Sequence, residues 1–179
     1  MRIIFSLLIS IVLVTGSQAQ NGTDPIKITD LLQIKTAANI NLKKDGSAAV
    51  FTVTSIVPDE KNKLDYKYET QLYRVNTDGN AVPMQVTYAK EGGSQPAWSP
   101  DGKQLAFVRT VEEKPQIFLL SMDGGEPWQL TKNKYGASNP KWSVDGKQLL
   151  FSSYIPFQNL LMDSALNGNV MKQIGRAHV

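Results

Sequence analysis

Pro96-Ala97-Trp98-Ser99-Pro100-Asp101-Gly102-Lys103-Gln104-Leu105-Ala106-Phe107 is written again, with small changes, as Pro140-Lys141-Trp142-Ser143-Val144-Asp145-Gly146-Lys147-Gln148-Leu149-Leu150-Phe151. Trp98 and Trp142 stand 44 residues apart, and every other matched pair keeps that offset. A fixed period of this length is the signature of a repeat architecture. Inside the cassette, Asp-Gly is a tight-turn signal: Asp hydrogen-bonds the local backbone and Gly accepts positive φ. After the turn, Leu105 and Phe107 alternate with Ala106 and Val108, the period-2 pattern of a strand covered on both faces. Each copy therefore reads as strand, turn, strand.

Two further strands complete the unit. Ile117–Leu120 follows a Glu-Glu-Lys-Pro turn, and Pro127–Thr131 follows Asp123-Gly124-Gly125. Four short antiparallel strands in about 44 residues is the size of one β-propeller blade. The chain is thus expected to be all-β, a partial propeller of about three four-stranded blades over 40–90, 91–135 and 136–173. The structural repeat residues are Trp98, Asp101, Gly102, Phe107, Trp142, Asp145, Gly146 and Phe151.

Working outward, Ile40–Val53 is a degenerate first copy, with Leu42 in the Trp place and Asp45-Gly46 and Phe51 in register. The charged segment from Pro58 to Lys67 reads as a long loop between the second and third strands of this blade. Such a loop can carry specificity or be a tolerated surface insertion. In the third blade Asn159–Asp163 is expected as the third strand and Val170–Gln173 as the fourth. Thr29-Asp30 offers N-cap chemistry ahead of a short amphipathic helix, Leu31–Lys35, within a leader spanning 20–39.

Both ends of the 179-residue chain differ from its middle. Met1-Arg2, the apolar run Ile3–Val14 and Ser17-Gln18-Ala19 form a signal-peptide pattern over 1–19, with cleavage expected after Ala19. The apolar run is too short to cross a bilayer, so export to the periplasm or medium is expected, with no membrane attachment after cleavage. The chain has no Cys, so sheet packing alone must hold it together. Residues 174–179 resemble a translated library adapter, so they and His178, the chain's only His, carry no function. The formal charge is +3, falling to +2 when Arg2 leaves, and the lysines are scattered through turns. No basic stripe suited to nucleic acid is present.

Catalytic chemistry is missing. Gly92-Gly93-Ser94-Gln95-Pro96 and Gly136-Ala137-Ser138-Asn139-Pro140 begin like nucleophile elbows but end in Pro where Gly is required, and no His base is available. They read as inter-blade loops. No metal-ligand cluster, phosphate loop or calcium loop is found, so neither metal nor cofactor is expected.

The leader Ile28-Thr29-Asp30-Leu31-Leu32, the two Trp-Ser-x-Asp-Gly-Lys motifs and Asp123-Gly124-Gly125-Glu126-Pro127 ending in Leu130-Thr131 resemble the prolyl oligopeptidase family of serine peptidases. The similarity is to the propeller repeats of its secreted dipeptidyl-peptidase and acylaminoacyl-peptidase-like branch, over about residues 26–173. TolB-like periplasmic propellers share the repeat motif. The resemblance implies a propeller over a C-terminal α/β-hydrolase domain, limiting access to peptide substrates. The family's catalytic Ser, Asp and His have no matching positions here. The expectation is therefore the N-terminal, substrate-gating fragment of an exported peptidase, inert and poorly soluble by itself. The alternative is a TolB-like protein-binding propeller without enzymatic activity, made less favourable by the mere 20 or so residues between Gln20 and the first strand.

Overall fold

The structure, a computed structural model, describes residues 27–155 except Lys63, together with 174–178. The expected signal peptide therefore lies outside the described residues, as do the strands expected at 159–163 and 170–173. Among the described residues, eleven strands form three antiparallel sheets. The first contains β1 (Thr36–Leu42), β2 (Ala48–Pro58), β3 (Tyr66–Asn76) and β4 (Met84–Gln85) in chain order. The second repeats this with β5 (Ser94–Trp98), β6 (Gln104–Val111), β7 (Lys114–Ser121) and β8 (Trp128–Gln129). In the third, β9 (Ser138–Trp142) and β10 (Gln148–Ser152) are joined by β11 (Ile174–His178). The fold is the all-β propeller arrangement read from the cassettes.

The alternation within β6 explains why the sheets stack. Leu105 and Phe107 meet Val50 and Leu72 of the first sheet, with Trp98, Phe118 and Leu120 closing that layer. Ala106 and Val108 face the other way, into a layer with Ile117, Leu119, Ala137 and Leu149. Full burial of a side chain such as Leu105 or Phe107 stabilises by about 1.5–3 kcal/mol, so the middle sheet anchors both interfaces. The two outer faces lack such cover among the described residues, and Leu42 is 61% exposed.

The Asp-Gly turns are closed by the cassette itself. Ser99 Oγ donates to Asp101 Oδ1 at 2.6 Å and accepts the Gln104 N–H at 2.9 Å, while Asp101 Oδ1 also accepts the Lys103 N–H at 3.0 Å. Ser143, Asp145, Lys147 and Gln148 repeat these bonds at 2.6, 2.9 and 3.1 Å. Gly102 sits at φ +69°, and a Cβ there would lie 2.1 Å from Lys43 Cε. The left-handed φ is what favours glycine there, since the flexible Lys43 side chain can move aside.

Three expectations change. The loop expected over Pro58–Lys67 narrows to the turn Asp59–Asp65, because Pro58 ends β2 and Tyr66 and Lys67 begin β3; these strands are 11 residues each against 8 for β6 and β7. Cross-strand pairing continues to Pro58↔Tyr66, because neighbouring strands satisfy backbone groups that charged side chains leave untouched. In the second sheet the turn is only Glu112-Glu113, at φ 49° and 64°, so Lys114 and Pro115 already belong to β7. The leader helix is a 3₁₀ helix, Ile28–Gln33, and Asp30 lies inside it, its carboxylate accepting the Lys27 N–H at 2.8 Å. Leu31 and Ile34 are exposed, so no apolar stripe is buried there. Residues 174–178 form β11, which runs antiparallel along β10 from Gln148↔His178 to Ser152↔Ile174. An unpaired strand edge is a template for such addition.

Candidate binding cleft at the inner strands

β1 lies against β5, and β5 against β9, so the first strands of the three sheets run side by side. Each is bulged at the same repeat position. Between Ala38↔Thr52 and Asn41↔Val50, two residues, Asn39 and Ile40, oppose the single residue Phe51. Gln95 and Pro96 oppose Phe107, and Asn139 and Pro140 oppose Phe151, in the same way. The first residue of each bulge is left-handed: Asn39 at φ 52°, Gln95 at 50° and Asn139 at 53°. Asn tolerates this region better than most residues, while Gln has no such preference. Pro96 and Pro140 fit because a bulge leaves an N–H without a ladder partner.

The bulges line a cleft of about 210 Å³ with Asn41 and Lys141. Its polar groups are held by neighbouring strands. Gln95 Oε1 accepts the Asn139 N–H across the sheet boundary at 2.7 Å, and Asn41 Oδ1 accepts the Trp98 N–H at 3.4 Å. Asn39 Nδ2 donates to Thr52 Oγ1 at 3.4 Å, and Asn139 Nδ2 to Ser152 Oγ at 3.2 Å. With these oxygens and nitrogens engaged, the amide nitrogens of Asn41 and Gln95 and the amide oxygens of Asn39 and Asn139 remain to meet a ligand. The lining thus offers both donors and acceptors, the set needed by a peptide main chain. Among the described residues, Lys141 is its one charged side chain.

The repeat residues found in the sequence stand behind this cleft. Trp98 Nε1 donates to Asn41 O at 3.1 Å and Trp142 Nε1 to Ala97 O at 3.0 Å. Asn41 and Ala97 hold the same repeat position, so each indole ties its inner strand to the one before it. Asp101 and Asp145 stay on the Asp-Gly turns, away from the cleft lining. Hydrogen bonds from Ser99 and Ser143, then from the Lys103 and Lys147 N–H groups, hold these carboxyls below their ordinary range. Asp45 is lowered by the Ser47 N–H and hydroxyl and by Lys43.

Ser94 and Ser138 are strand residues, whereas the sequence suggests loop. Their hydroxyls donate to Val108 O at 3.4 Å and Ser152 O at 3.3 Å. No group of three or more metal-ligating side chains occurs among the described residues.

Two sets of residues escaped the sequence reading. One is the bulge amides, whose signal is the Gln95/Asn139 pair at the 44-residue offset. The other is a buried clamp. Thr131 Oγ1 donates to Gln116 Oε1 at 2.8 Å and accepts the Ile117 N–H at 2.9 Å, while Gln116 Nε2 reaches Asn133 O at 2.8 Å. Thr87, Gln71, Leu72 and Ala89 form the same bonds at 2.7, 2.9 and 2.9 Å in the first sheet.

Stacked four-stranded meanders converging on bulged inner strands define a β-propeller. Solved structures with this fold include acylaminoacyl peptidase of Pyrococcus horikoshii, at a TM-score of 0.54 and 20% identity over 69% of this chain and 18% of that one. The propeller domain of the trilobed protease of Pyrococcus furiosus gives 0.51 and 22% over 68% and 34%. A putative TolB of Agrobacterium tumefaciens gives 0.51 and 23% over 68% and 39%. No family model matches the chain. Among curated proteins, an uncharacterized peptidase of Bacillus subtilis, YuxL, is 35% identical over 102 residues, 56% of this chain. Dipeptidyl-peptidase 5 of Porphyromonas gingivalis is 30% identical over 94 residues, 52% of this chain. The chain spans 15% and 13% of the lengths of these two relatives. The chain is thus similar in sequence to peptidases over about half its length and similar in fold to propellers that occur in peptidases and in TolB.

Proposed function

We propose that these blades form the substrate-gating propeller of an exported serine peptidase, whose catalytic groups stand in an α/β-hydrolase domain outside this sequence. The observation that carries the reading is the cleft. Three sheets similar in fold to peptidase propellers turn their bulged inner strands toward one opening, and its amides match the donors and acceptors of a peptide chain. The blades contribute recognition and exclusion; a rigid, narrow entrance admits an extended peptide and turns away folded protein.

The test is to express the complete reading frame that carries this sequence and treat it with a serine-directed fluorophosphonate. Labelling of one serine, with hydrolysis of short peptides but not of a folded protein of the same sequence content, is expected. An unlabelled protein that still captures protein ligands would instead support the second reading, a TolB-like binding propeller, which the TolB fold match favours. Export has its own test: the amino terminus of the secreted protein should begin at Gln20.

A further inference from the structure

We infer that the inner-strand cleft is selective for carboxylate-bearing peptides: it takes a peptide by a carboxylate, terminal or side-chain, at Lys141, and disfavours a free α-amino group. This rests on the peptide-binding reading above and adds the charge of the ligand.

The argument begins with how the amides are oriented. Gln95 Oε1 is occupied by the Asn139 N–H at 2.7 Å, so the Gln95 NH2 must point its hydrogens elsewhere. Asn41 Oδ1 accepts the Trp98 N–H, which fixes the Asn41 NH2 in the same sense. Both oxygens are held by backbone donors, which cannot reverse their role. Thr52 Oγ1 donates to Ala38 O at 2.9 Å and can only accept from Asn39, which leaves the Asn39 carbonyl oxygen as an acceptor. The neutral lining therefore suits an uncharged peptide link and does not by itself choose a terminus.

Charge makes the choice. Among the described residues no Asp or Glu lines the cleft, and Lys141 does. Lys141 is exposed and has no ion pair among the described residues. An α-ammonium group entering here would meet a like charge and no carboxylate, whereas a carboxylate would meet Lys141 with the Gln95 and Asn41 NH2 donors in the same cleft. Charge-assisted hydrogen bonds are about twice as strong as neutral ones. At an exposed site this becomes a preference of about two- to fivefold.

The full chain is titrated, with amide NMR as the readout, against three tripeptides. These are acetyl-Ala-Ala-Ala with a free carboxylate, the same peptide capped as its C-terminal amide, and Ala-Ala-Ala amide with a free amino terminus. The free acid should bind about two- to fivefold more tightly than the doubly capped peptide and move the Asn41 and Gln95 side-chain NH2 signals. The free amine should bind weakest. Lys141→Gln should bring the acid down to the capped peptide, while Lys147→Gln, on the Asp-Gly turn, should not. Equal binding of acid and capped peptide overturns the charge selectivity and leaves peptide binding standing. Tightest binding of the free amine reverses the inference. Failure of all three to bind removes both from this cleft, while the fluorophosphonate result would still stand for the peptidase.

Discussion

Replacing Thr131 by Val removes one oxygen from the interior and almost nothing else. Thr131 is buried, its hydroxyl donates to Gln116 Oε1 at 2.8 Å, and it accepts the N–H of fully buried Ile117 at 2.9 Å. Valine has nearly the same shape, so no cavity opens. The Ile117 N–H is left without its partner, at a cost of about 1–3 kcal/mol. Gln116 Oε1 keeps the Asn133 N–H at 3.0 Å, so the loss on that side is the smaller value of an ordinary net hydrogen bond, about 0.5–1.5 kcal/mol. Together these give a destabilisation of about 1.5–4.5 kcal/mol. With a urea m-value of about 2 kcal/mol/M, the unfolding midpoint should fall by roughly 1–2 M. Thr87→Val should behave alike in the first sheet, because Thr87 bonds Gln71 and Leu72 in the same pattern. Thr110 is exposed, and its Val variant should stay within about 0.5 kcal/mol of the parent. A Thr131→Val midpoint indistinguishable from that of Thr110→Val would refute the claim that the hydroxyl holds the third strand to the fourth.

Other perturbations separate the remaining interactions. Gly92 has φ +64°, and a Cβ there would lie 2.1 Å from Thr70 O, the acceptor of the Gly93 N–H. Gly92→Ala should therefore cost more than twice what Gly46→Ala does in thermal unfolding. Gly46, at φ +72° with open space around it, bears only the left-handed penalty of about 1–2 kcal/mol. Trp142→Phe loses the bond to Ala97 O and should destabilise by about 1 kcal/mol, whereas half-exposed Trp128→Phe should cost less than about 0.5 kcal/mol. The Asp145 carboxyl lies below its ordinary value of 3.8 in the folded chain, so its contribution is fully present above about pH 4 and is lost as pH falls through the folded value. The urea midpoints of the parent and Asp145→Asn should accordingly differ more at pH 6 than at pH 3, and an equal gap at both would exclude the turn carboxylate as the source.

What could be read from the residues depended on whether local chemistry or distant geometry decided the outcome. Trp, Asp-Gly and Phe were legible because the turn closes within six residues, from the Ser99 N–H to Gln104 O, and the pattern recurs. The charged turn Asp59–Asp65 is legible as loop, whereas the strand ends Pro58, Tyr66 and Lys67 are hidden beside it, because backbone pairing decides there. The leader pattern suggested an α-helix, but Leu31 and Ile34 find no cover to reward a longer one. The Gln116–Thr131 clamp joins residues 15 apart through one polar contact, which hydrophobic periodicity does not report. The cleft amides were likewise invisible as a set, because only the stacking of β1, β5 and β9 brings Asn39, Gln95 and Asn139 together.

The cassette's length follows from the bulge. Its twelve residues begin at Pro96 or Pro140, the second residue of each bulge, and end at Phe107 or Phe151, the residue across from it. One strand–turn–strand unit thus contains both the kink of the inner strand and the aromatic side chain that opposes the kink. The Trp is different in kind, since its indole bonds the preceding strand and nothing within its own sheet. This is why the first copy can carry Leu42 in the Trp place while its bulge at Asn39-Ile40, its Asp45-Gly46 turn and Phe51 keep their register. Sheet geometry and sheet-to-sheet attachment are therefore separable in this repeat, the first written in the bulge, turn and Phe and the second in the indole.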